Sequence, residues 1–272
     1  MSDDLKPAWS WQFDEGVLRP IAALPLPEPI TREWAWGDST GAGVKVAVID
    51  SGIDGSHPRV GGIAGGVALS WNPDTEEVEA VEGEHEDLYG HGTACAAIIR
   101  NIAPESQIYS VRVLNADLRG KSVVFAEGLR WAIDNGMQVV NLSLSTSSHD
   151  YYALFHELAD EAYFKGVCLV SAVNNVERPS YPSLYSSVFS VAAHTDKDPF
   201  GISYNPEPPV EWGAPGIDLE LAWSDGGTIE ATGNSFAAPH VAGLLALIIG
   251  KHPGLTPFQL KTVLHAIARN RA

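Results

Sequence analysis

Residues 44–52 read VKVAVIDSG, and this stretch decides how the chain folds. Apart from Lys45, residues 44–49 are apolar and mostly β-branched, the pattern of a parallel strand buried on both faces. The run stops at Asp50-Ser51-Gly52. A carboxylate therefore stands at the C-terminal end of a strand, where open parallel sheets gather ligands and catalytic groups. An aspartate that merely opens a turn has the same signature.

Downstream the pattern recurs, alternating with helices. Residues 108–114 (IYSVRVL), 138–144 (QVVNLSL), 167–173 (VCLVSAV) and 187–193 (SVFSVAA) read as strands. Residues 122–135, with Ser122 as cap and Gly136 as stop, and residues 152–165 read as helices, and Thr256-Pro257 opens a last one. The alternation predicts an α/β fold of three layers, a predominantly parallel sheet with helices on both faces. The acidic residues 72–89 read as a solvated loop. Upstream, Pro20, Pro25, Pro27 and Pro29 exclude a regular helix. Residues 1–33 are expected to be a Pro-rich N-terminal extension, and residues 34–272 the main domain.

Two further stretches carry chemistry. Gly90-His91-Gly92-Thr93 precedes the apolar run ACAAIIRNI, so His91 sits at the opening of a buried helix. Residues 232–243, TGNSFAAPHVAG, bring Ser235 to the start of the apolar helix LLALIIG, with Pro239 expected in its first turn. Backbone N–H groups at a helix start lack intrahelical partners and carry partial positive charge, which favours an oxyanion there. A serine in this position is more commonly a plain N-cap. A hydroxyl is too weak an acid to attack a carbonyl unaided: a histidine must take its proton and a carboxylate must orient that histidine. Asp50, His91 and Ser235 supply these groups in the order Asp…His…Ser. An α/β-hydrolase esterase needs Gly-x-Ser-x-Gly and another order; Ala237 occupies the last position of that motif.

The blocks VAVIDSGID, GHGTACAAII and GNSFAAPHVAG together resemble the three signature blocks of the subtilisin-like serine proteases, and the similarity runs from about residue 40 to residue 265. The resemblance implies an acyl-enzyme serine endopeptidase, of which a peptide-processing protease is one form, with Ser235 as nucleophile, His91 as general base and Asp50 as its orienting carboxylate. It implies an oxyanion hole completed by Asn175, or else Asn174. A peptide substrate would add as a strand beside Ser143-Leu144-Ser145 and present its side chain to a pocket lined by Ser171, Ala172, Val173 and Ser180. The alternative is a catalytically silent pseudoprotease that keeps only the peptide groove. The chain between Ala97 and Pro104 is too short for the calcium loop of many relatives, so no metal or other cofactor is expected. Cys95 matches a thiol-bearing subgroup and is expected to pack in the core.

Composition bounds the partners. With 34 Asp+Glu against 17 Lys+Arg, the net charge of −17 argues against nucleic acid and anionic membrane surfaces and is compatible with a soluble enzyme and with cationic substrates; a peptide or protein substrate is what the resemblance implies. Cys95 and Cys168 lie in apolar stretches and are expected as buried free thiols. With no basic-then-apolar leader at residues 1–10, they lead to the expectation of a cytoplasmic location.

Overall fold

The computed structural model describes residues 29–270. Strand β1 (Lys45–Asp50) is buried along almost its whole length, as its β-branched sequence requires. Around it run β2 (Gly65–Asn72), β3 (Glu77–Glu82), β4 (Gln107–Arg112), β5 (Val139–Leu142), β6 (Cys168–Ala172), β7 (Phe189–His194), β8 (Ser203–Tyr204) and β9 (Trp212–Pro215). They form one nine-stranded sheet in the order β3-β2-β4-β1-β5-β6-β7-β9-β8. The ladders are parallel from β2 to β9 and antiparallel only at the two edges. Strands β10 (Leu219–Ala222) and β11 (Thr228–Ala231) make a separate hairpin.

The period-2 alternation of β1 sorts the core. Val46 and Val48 join the cluster under α2 (His91–Ile102), α5 (Asn234–Lys251) and α6 (Pro257–Ile267). Ala47 and Ile49 join the cluster under α3 (Ser122–Asp134) and α4 (Tyr152–Phe164). Helices therefore cover both faces, as the alternation predicts. Helix α5 is apolar all round and lies in the interior, buried from Phe236 to Ile249. Each Leu or Ile fully buried there contributes about 1.5–3 kcal/mol.

Three local expectations change, and one short helix lies across an expected boundary. Residues 77–82 are not loop but the edge strand β3, whose alternating valines and glutamates keep an exposed edge charged. Ser122 is the first residue of α3 rather than its cap, and its hydroxyl donates to Thr146 Oγ1 (3.0 Å). Pro239 lies inside α5, beyond the first turn. A short helix α1 (Arg32–Ala35), capped by the Thr31 side chain, runs across the expected boundary at residue 33. Residues 1–28 of the expected extension lie outside the described residues.

Candidate active site

The sheet reverses direction of growth at β1, whose neighbours β4 and β5 lead to opposite edges. A crevice opens at such a switch point, beyond the strand C-termini. Asp50 ends β1 there and is fully buried. Both of its carboxylate oxygens lie 2.9 Å from His91 Nδ1, and one accepts the Ser51 N–H at 2.8 Å. His91 is the first residue of α2. It can come this close because Gly92 has no side chain: a Cβ there would collide with the Gly52 carbonyl and press on Asp50. Gly90 holds φ near 109°, where a β-carbon is strained, and packs under the Trp223 ring.

Asp87 secures the turn before His91. It accepts hydrogen bonds from the backbone N–H groups of Tyr89 (3.0 Å), Gly90 (2.8 Å) and Thr93 (2.9 Å), and from the hydroxyls of Ser51 (2.7 Å) and Thr93 (2.6 Å). It thus joins the two segments that carry Asp50 and His91. Nothing local in the acidic run 72–89 distinguishes Asp87 from its neighbours.

Ser235 is the second residue of α5 and partly exposed. Pro239, four residues on, has no N–H to bond the Ser235 carbonyl. That carbonyl accepts instead from Ser143 Oγ (2.6 Å) and Cys95 Sγ (3.6 Å), and Asn141 Nδ2 donates to Ser143 Oγ (2.9 Å). The next residue, Phe236, has its ring 5.1 Å from the His91 ring. No hydrogen bond joins His91 Nε2 to Ser235 Oγ; such bonds are often long without substrate and tighten in the complex.

The two asparagines are used differently. Asn175 Oδ1 accepts the backbone N–H of Asn234 (2.9 Å), the residue before Ser235. This leaves the Asn175 amide N–H groups beside the start of α5. Asn174 Oδ1 closes its own turn onto the Val176 N–H (2.9 Å). Asn234 Nδ2 donates to the carbonyls of Val173 (3.3 Å) and Asn174 (3.2 Å), which ties this loop to α5.

Hydrogen bonds bring several of the expected groove residues near one another and near the start of α5. Thr146, just after Ser145, and Tyr181 exchange backbone hydrogen bonds (2.9 and 2.8 Å), which brings 143–146 beside 180–182. Ser180 is buried and hydrogen-bonded to Ser183 Oγ (2.7 Å). Ser171 is fully buried in β6, and Ala172 and Val173 follow it toward the crevice. Leu144 and Ser145 have left the ladder of β5 and are half-buried.

The electrostatics favour a charged histidine. Burial alone would lower the His91 pKa; the Asp50 carboxylate outweighs it, and the pKa stands well above 6.5. Burial raises the Cys95 thiol, so it stays protonated and Asp50 is the anion that acts on His91. Asp50, His91 and Cys95 place one ligand atom each within 4.8 Å of one another. Cys95 is therefore more than core packing: it touches the backbone of Ser235. Cys168 is buried and raised to about 12, and is inert.

The sequence model of the subtilase family matches residues 41–272. The minor extracellular protease Epr of Bacillus subtilis (strain 168) is 35% identical over 86% of this chain and 36% of its own length. The thermostable alkaline protease of Halalkalibacterium halodurans is 34% identical over 81% of this chain and 61% of its own. Subtilisin BL of Lederbergia lenta is 34% identical, with 82% of each chain covered. The chain thus spans less than two thirds of the first two relatives. The crystal structure of a cold adapted subtilisin-like serine proteinase superposes with a TM-score of 0.67 at 28% identity, covering 84% of this chain and 83% of the other. These relatives correct the expected cytoplasmic location, since one of them is named an extracellular protease. The free thiols are no guide to compartment: Cys95 and Cys168 are fully buried and too embedded to meet a partner. Among the described residues no helix is long and apolar enough to cross a membrane.

Proposed function

The chain belongs to the subtilase family and is by family a subtilisin-like serine peptidase, and on that premise we propose that it is a working endopeptidase acting through an acyl-enzyme. The observation that carries this reading is the bond from His91 Nδ1 to both oxygens of a fully buried Asp50, set at the crevice that also receives Ser235. With Nδ1–H held by Asp50, Nε2 is left as the base. His91 Nε2 takes the Ser235 Oγ proton as Oγ attacks the peptide carbonyl. The negative charge that develops on the carbonyl oxygen is met by the Ser235 backbone N–H and the Asn175 amide. His91 then gives its proton to the departing amine, and water repeats the steps in reverse to free the enzyme. The substrate backbone pairs with residues 143–145 through main-chain groups, since the Ser143 hydroxyl is already engaged. The pocket of residues 171–173 and Ser180 receives the side chain before the cleaved bond. The steps need no metal or cofactor, and the partner is a peptide or protein rather than a nucleic acid or a membrane.

A fluorophosphonate probe tests this directly. Labelling should fall on Ser235 and vanish in Ser235→Ala, together with peptide cleavage. A folded wild type that binds peptide yet never labels would instead be the silent pseudoprotease.

A further inference from the structure

Close to the triad, a cavity of about 510 Å³ is lined by Trp71, Leu88, Arg112, Leu114, Arg119 and Lys121 among others, with no acidic residue in its lining. This is unexpected in a chain with 34 Asp+Glu and only 17 Lys+Arg. Among the described residues none of the three cations forms an ion pair. Arg112 donates to the Glu86 carbonyl (3.2 Å), and the Lys121 ammonium stands 4.1 Å over the Trp71 ring. Asp117 and Glu86 are near in the chain but outside the lining.

Two contacts tie the cavity's walls to the segments that carry the site. Val113 and Leu114 donate their N–H groups to the Asp50 carbonyl (2.9 and 3.2 Å). Ser122, next to Lys121, donates to Thr146, next to Ser145 (3.0 Å). The Lys121 Cα is thus within about 15 Å of Ser145, two Cα steps and two short side chains away. The loop that carries Arg119 is held in one shape, since Asn115 Oδ1 accepts the N–H groups of Asp117 (3.0 Å) and Arg119 (2.9 Å).

We propose that this cavity is a specificity site for acidic substrates: it takes an aspartate or glutamate side chain of the peptide, several residues upstream of the bond that Ser235 cleaves. The proposal rests on the peptidase reading above and adds a substrate class to it. An apolar floor with unpaired cations at its rim suits a carboxylate on a short aliphatic stem, which buries its methylenes and meets Arg119 and Lys121 with its oxygens. Such a contact acts mainly by steering and selecting substrate.

The experiment compares kcat/KM for matched peptides carrying Glu, Gln or Lys at each of several upstream positions. At one position Glu should exceed Gln by about three- to tenfold, the scale of one or two exposed ion pairs. Lys should fall below both. The preference should collapse in about 0.5 M salt, where screening acts within a few Å. It should also collapse in Arg119→Gln/Lys121→Gln, with circular dichroism and the urea midpoint reporting that the variant is folded. Equal rates for Glu and Gln in the wild type, or a preference that survives the double variant, overturn the proposal. If Ser235 fails to label, the peptidase reading falls instead. Fluorescence anisotropy of labelled Glu and Gln peptides on the intact protein then decides the cavity, equal affinities overturning it.

Discussion

His91 must be neutral to accept the Ser235 proton, and the residue is built to stay charged. Burial opposes the charge, but Asp50 at 2.9 Å overcomes it and holds the pKa well above 6.5. We therefore expect kcat/KM to rise with pH on a limb centred above 6.5. In Asp50→Asn that limb should shift down, because the anion is gone, while the rate falls by about 10⁴ for want of the right tautomer. A pH–rate profile of both proteins checks this, and a limb that stays in place would remove His91 from the role of base. The same shift affects stability. The folded pKa lies above the unfolded one, so the stabilisation is complete below about pH 6.5 and is lost as pH rises through the folded value.

At the scale of the element, the start of α5 is set by a proline. Pro239 frees the Ser235 carbonyl from the helix, and Ser143 reaches across from the end of β5 to bond it. One residue thus locks the nucleophile's backbone to the edge that receives peptide. Ser143→Ala leaves that carbonyl with only the weak Cys95 contact. An under-bonded carbonyl of this kind costs about 1–3 kcal/mol, measurable by urea unfolding. We expect kcat to fall more than KM rises, with Ser143→Thr restoring part of both. The long, apolar and β-branched elements were legible in the chain itself: β1, β4, β5, β6 and β7 all fall within the expected runs, give or take two residues. Strand β3 was not, because EVEAVE is hidden in a longer acidic run and the adjacent strand it pairs with, β2, was itself not read from the sequence.

At the scale of the whole molecule, α5 carries a second buried histidine of opposite sign. His240 Nδ1 meets the Pro199 carbonyl at 3.0 Å, while Nε2 has no partner among the described residues. Burial lowers its pKa to about 4. The folded protein therefore binds this proton less readily than the unfolded chain, and stability is lost as pH falls from about 6.5 towards 4. The loss approaches about 3 kcal/mol, at about 1.4 kcal/mol per pH unit. Urea titrations at pH 7 and pH 4.5 should show it, and His240→Leu should flatten the difference. An unchanged slope in that variant would assign the acid sensitivity to other groups. The net charge of −17 adds self-repulsion that no single substitution removes.

What the sequence determined by itself was everything set by local pattern: the buried strands, the helices between them, and the three motifs that carry Asp50, His91 and Ser235. These follow from side-chain period and backbone preference, which act over a few residues. Only the tertiary structure decided which asparagine side chain reaches the residue before Ser235, what bonds the carbonyl that Pro239 leaves open, why Asp87 differs from its acidic neighbours, and where Arg112, Arg119 and Lys121 meet. Each of these depends on loops far apart in the chain arriving at one crevice, and that meeting is dictated by how the sheet orders its strands.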